Sequence, residues 1–119
     1  MDRNGYRRAA VVVAVVGAIG VGAAPSASAA VLIRGNSSRW HPATTTIQRG
    51  GAVRWKAIDV RHTVRSYGSN WSYSADLPAG TSTSPKNFTR RGTFRFYCSI
   101  HGSVSGGVCT GMCGKVVVD

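Results

Sequence analysis

Thr93-Phe94-Arg95-Phe96-Tyr97-Cys98-Ser99-Ile100-His101 is the stretch on which the reading of this chain turns. Its period of two belongs to a strand with one face in a core and the other in water. Arg95 must point to solvent, so Phe94, Phe96 and Cys98 share the inward face. The thiol is thus aimed at the interior from the end of a strand. His101 follows three residues later, near enough to reach the same point from the next loop.

Strand signals continue on both sides. Val31-Leu32-Ile33 is one, and Thr44-Thr45-Thr46-Ile47 is another, closed by Gly50-Gly51. From Ala52 to Ile58, Val53, Trp55 and Ala57 lie on one side, and Arg54 and Lys56 on the other. His62 to Ser66 reads as a strand in which His62 shares a face with Val64. Tyr67 to Lys86 is rich in Ser, Thr, Gly and Pro and predicts irregular loops with one or two short strands. Asn87-Phe88-Thr89, a turn at Arg90-Arg91-Gly92, and Thr93 to Cys98 read as a hairpin. Gly114 to Asp119 closes with Val116-Val117-Val118. No helical period occurs after the first thirty residues, and there are no internal repeats. The expectation is an all-β domain, a two-sheet antiparallel Greek-key sandwich of seven to eight short strands.

The N-terminus reads as an address. Arg3, Arg7 and Arg8 precede an apolar run from Ala9 to Ala24, and Pro25-Ser26-Ala27-Ser28-Ala29 supplies small residues for cleavage after Ala29. Residues 1–29 are therefore expected to be a secretory signal peptide, and residues 30–119 a single domain. The run is glycine-rich and barely long enough to span a bilayer, which argues against an anchor. Arg7-Arg8 leaves Sec or twin-arginine export open. No cysteine near the cleavage point invites lipidation.

The expected mature part holds twelve Lys and Arg against three Asp, a net charge of +9, with no glutamate. A field of that sign favours acidic partners. Nucleic acid fits poorly, because the chain reads as exported and its basic residues are scattered singly along strands. A domain this small also gains from a metal or a disulfide.

Cys98, His62 and His101, with Met112 downstream, bring a thiolate, two imidazoles and a thioether to strand ends. This is the ligand set of a trigonal copper electron-transfer site: thiolate suits Cu(I), imidazole suits both oxidation states, and a weak axial thioether adds little geometric demand.

These residues, with Pro42, Ile47, Gly50, Val53, Trp55, His62-Thr63-Val64, Gly80, Phe88, Gly92-Thr93-Phe94 and Gly111-Met112-Cys113-Gly114-Lys115-Val116, make the chain resemble the small blue (type 1) copper proteins of the plastocyanin/azurin-like cupredoxin family. The match covers essentially all of residues 30–119. The resemblance implies a cupredoxin-like sandwich, one copper ion on His62, Cys98, His101 and axial Met112, and single-electron shuttling between redox partner proteins by a monomer that is not an enzyme. Three departures stand out. Ten residues separate His101 from Met112, and Gly102, Ser103, Ser105, Gly106 and Gly107 predict a long, mobile loop there. Ile100 replaces the proline often found between the ligands. Thr63 stands where plastocyanins often place an asparagine that ties the ligand loops together, while Ser99 keeps a hydroxyl beside the thiolate.

If Cys98 goes to copper, Cys109 and Cys113 are left as a pair for a disulfide in an oxidising compartment. Alternatives use the same residues. Cys98, His101, Cys109 and Cys113 could form a zinc site of three thiolates and an imidazole. Cys109, Met112 and Cys113 could be soft Cu(I) ligands in a protein that delivers or sequesters copper. A metal-free adhesive sandwich is a third reading. His41 reads as an exposed loop residue, and Trp40, Trp55 and Trp71 as core and rim packing. Asp59, Asp76 and Asp119 are too few and scattered for acid–base catalysis, and no serine has a partnered base.

Overall fold

A computed structural model describes residues 29–119, so the expected signal peptide lies outside the described residues, apart from Ala29. Nine strands follow in order: β1 (Val31–Asn36), β2 (Arg39–His41), β3 (Thr44–Ile47), β4 (Ala52–Ala57), β5 (His62–Tyr67), β6 (Ser74–Leu77), β7 (Lys86–Asn87), β8 (Gly92–Ser105) and β9 (Val108–Val118). They form a four-stranded sheet, β2-β1-β4-β7, and a five-stranded sheet, β3-β9-β8-β5-β6.

The expected sandwich is present, with two corrections. There are nine strands among the described residues, because β2, three residues long, is too short to show a period. The sheets are also mixed and not wholly antiparallel: β1 runs parallel to β4, and β3 parallel to β9. Alternation tells which face a side chain takes, but it is blind to the direction of the neighbouring strand.

The predicted hairpin around Arg90-Arg91-Gly92 is a crossover instead. Lys86 and Asn87 pair with Val53 and Ala52 in the smaller sheet, whereas β8 pairs with β5 and β9 in the larger one. Phe88 is buried where the chain passes between sheets. Burying that ring is worth about 1.5–3 kcal/mol.

Inward residues from both sheets build the core. Val53, Trp55 and Ala57 of β4 meet Phe94, Phe96 and Cys98 of β8, all buried as the alternation requires. Phe96 sits at the centre: Trp55 and Trp40 approach it edge-on at centroid distances of 5.3 and 5.6 Å. That arrangement suits aromatic quadrupoles.

The β8–β9 pair is the feature that shapes one pole of the sandwich. It runs regularly from Gly92↔Val118 to Tyr97↔Cys113, loses register, then resumes from Gly102↔Gly111 to Ser105↔Val108. Gly106 and Gly107 close it with φ of 57° and 79°, the pair of positive values that a two-residue type I′ turn requires. The stretch expected to be a mobile loop is therefore a paired β-hairpin. Serine and glycine masked its strand character, since neither offers an apolar alternation to read. Within the break, Cys98, Ser99, Ile100 and His101 stand opposite Met112 alone.

Candidate metal centre

Three segments supply donors at this pole. His62 is the first residue of β5, Cys98 and His101 bracket the register break of β8, and Met112 lies opposite on β9. Cys98 Sγ is 3.8 Å from His62 Nδ1 and 3.6 Å from His101 Nδ1. One donor atom from each of the three residues lies within 4.8 Å of the other two. His62, Cys98 and Met112 are fully buried, while His101 is half-buried. His62, Cys98 and His101 thus come together at the strand ends.

Backbone geometry forces the convergence. Gly111 has φ of 85°, and a Cβ there would lie 2.5 Å from the His101 carbonyl oxygen. Only glycine lets the strands pinch together beside His101, and that pinch ejects residues 98–101 as a bulge. Cys109 and Cys113 are joined by a disulfide, with Cα atoms 6.2 Å apart. Four residues of straight strand would span about 13 Å, so β9 bends sharply between them, at Gly111 and Met112. With its sulfurs bonded to each other, this pair is unavailable to zinc or Cu(I). The zinc reading and the copper-delivery reading each lose these two donors.

Met112 is buried with its methyl end toward Gly35 of β1. An atom placed as Cβ on Gly35 would lie 2.9 Å from His62 Cδ2, 3.0 Å from Trp40 Cζ3 and 3.1 Å from Met112 Cε. The thioether end and the His62 ring therefore share one cradle, which exists because residue 35 lacks a side chain.

Thr63 ties the donor segments together. Its Oγ1 accepts a 2.8 Å hydrogen bond from Ser99 N–H and lies 2.8 Å from Ser99 Oγ. Its own N–H donates to Cys98 Sγ at 3.4 Å. The link expected of an asparagine is made by a threonine. Burial by itself would push the Cys98 thiol up, but hydrogen bonds from the Thr63, His101 and Ile100 backbone outweigh it. The result is a thiol lowered to about 6, largely ionised at neutral pH and so ready to bind a metal.

Solved structures share this fold. Amicyanin from Paracoccus versutus superimposes with a TM-score of 0.61 at 19% identity, over 80% of this chain and 86% of that one. A purple cupredoxin from Nitrosopumilus maritimus does so with a TM-score of 0.58 at 21% identity, over 75% and 99%. The chain has the cupredoxin fold. A copper-containing nitrite reductase from Thermus scotoductus carries that fold as well, with a TM-score of 0.66 and 21% identity over 84% of this chain. The match spans only 24% of the reductase. No protein-family model and no curated protein matches the sequence.

Set on the cupredoxin fold, one residue of the site escaped the sequence reading. Asp59 Oδ1 lies 2.8 Å from His62 Nε2, and Asp59 Oδ2 accepts from Ser37 N–H at 3.0 Å. The His62 hydrogen bond, then the Ser37 and Val60 backbone, hold its carboxyl far below the usual carboxylate range. It stands three residues before His62 in a loop, where no periodicity marks it. The only available signal was an acid beside a histidine in a stretch with few acids. His41 lies apart from the cluster, exposed on β2 with Nε2 against the Asn36 carbonyl. Asp76 pairs with Arg65.

Proposed function

We propose that the chain is an exported blue copper protein that shuttles single electrons between redox partners through one type 1 copper ion. The observation that supports this most is a buried thiol with two imidazole nitrogens 3.6 and 3.8 Å from its sulfur. His62, Cys98 and His101 would be the strong ligands and the Met112 thioether a weak one. Copper held there supplies a reversible one-electron couple.

The chain's own residues do the rest. The β8–β9 pinch and the Thr63–Ser99 link hold the donors in place, so that little need move when the charge changes. Burial of His62, Cys98 and Met112 keeps water from the sulfur. His101, half-buried beside Ile100, which is 50% exposed, offers the ring edge through which an electron leaves. In this reading residues 1–29 are removed on export and residues 30–119 act as a monomeric carrier, not an enzyme. A net charge of +9 favours partners with acidic docking surfaces.

Cu(II) added to the purified protein should produce an intense thiolate-to-copper absorption that ascorbate bleaches and ferricyanide restores. A colourless product, or copper lost readily to a chelator with no reversible couple, defeats the proposal and favours delivery or a metal-free role. Replacing Ile100 by Asp should slow electron self-exchange and leave the absorption nearly intact. Unchanged exchange would place the exit elsewhere.

A further inference from the structure

The buried ring of His62 makes two contacts of opposite character. Nδ1 faces the thiol, while Nε2 faces a carboxylate. A carboxylate only accepts, so Nε2 must be the protonated nitrogen and Nδ1 the one with a lone pair. Asp59 is itself fixed. Its second oxygen takes the Ser37 N–H, presented by a turn in which Ser37 and Ser38 have φ of 55° and 57°. Serine seldom adopts such values, and here the strained turn aims a donor at the carboxylate. The contact is not an incidental surface pair, because His62 is wholly buried and only the carboxylate reaches water.

We propose that Asp59 is a positioning residue that holds His62 as an Nδ1 donor and lowers the reduction potential of the bound ion through its negative charge. The inference rests on the copper reading above. A thiolate site carries one more positive charge with Cu(II) than with Cu(I), so a carboxylate behind the ring stabilises the oxidised form more. The hydrogen bond acts in the same direction by raising the basicity of Nδ1. The carboxylate's exposure to water screens the effect, so a change of about tenfold is expected.

The test equilibrates copper-loaded wild type, Asp59→Asn and Asp59→Glu with ferrocyanide, in which one electron passes from Fe(II) to Cu(II) to give Fe(III) and Cu(I). Asp59→Asn keeps an acceptor for Nε2–H without the charge. It should shift the equilibrium toward Cu(I) by about tenfold, or ~59 mV for one electron, with the thiolate absorption retained. Asp59→Glu should recover much of the shift. An Asn variant with intact absorption and an equilibrium within about twofold of wild type would overturn the inference and spare the copper reading. No thiolate absorption in wild type would overturn both. Nitrogen NMR of the metal-free wild type gives a readout that needs no variant: a proton on His62 Nε2 supports the proposal, and one on Nδ1 refutes it.

Discussion

Gly35→Ala is a one-methyl change that probes the cradle directly. In an ordinary strand interior, alanine for glycine is favourable by roughly 0.5–1 kcal/mol, because glycine loses more chain entropy on folding. Here the added Cβ would sit 2.9 Å from His62 Cδ2 and 3.0 Å from Trp40 Cζ3, with Met112 Cε at 3.1 Å. His62 cannot retreat, since Asp59 holds its far nitrogen at 2.8 Å. Trp40 is packed against Phe96. The flexible methyl of Met112 is the part that yields, with some displacement of the rings. Overpacking of this kind costs about 1–3 kcal/mol, which exceeds the entropic gain. With the entropic gain subtracted the net loss is about 0.5–2 kcal/mol, so thermal unfolding of the metal-free variant should show a midpoint about 2–16 °C lower, at 4–8 °C per kcal/mol for a domain of this size. Displacing the thioether should also alter the EPR spectrum of the Cu(II) form. A variant at least as stable as wild type, with an unchanged spectrum, would refute the shared cradle.

Three further outcomes follow from the same geometry. Thiol titration of the unreduced, metal-free, denatured protein should find one reactive thiol per chain, Cys98; three would remove the Cys109–Cys113 bridge, whose loss should cost about 2 kcal/mol for so short a loop. Thr63→Val preserves shape but leaves Ser99 N–H without its acceptor. Denaturant unfolding should show a loss of about 1–3 kcal/mol, and a loss below 0.5 kcal/mol would mean the link is idle. Gly111→Ala must strain a φ of 85° and drive a carbon against the His101 carbonyl. It should weaken copper retention against a chelator at least tenfold, as displaced supports of ligands do, and unaltered retention would show that the pinch is dispensable.

Much of the site was legible because it depends on local alternation. Arg95 is soluble only if it points outward, and that alone sends Phe94, Phe96 and Cys98 inward, where they lie buried. Val64 does the same for His62. What escaped depends on contacts distant in the chain. The parallel pairing of β1 with β4 and of β3 with β9 leaves no mark within any one strand. Phe88 reads as a strand residue, and only the space between two sheets makes it a crossover plug. The hairpin Gly102–Gly111 looked like loose loop because its order comes from the ladder across to β9 and from glycine geometry. Asp59 was discounted for want of a second acid, whereas its partners are a ring three residues ahead and a backbone N–H from the β1–β2 turn.

X-ray absorption at the copper edge, on protein loaded with one equivalent of Cu(II), addresses the donor set most directly. One short copper–sulfur and two copper–nitrogen distances are expected, with the short sulfur abolished in Cys98→Ser. A first shell of nitrogen and oxygen alone, or one with two or more thiolate sulfurs, would contradict it.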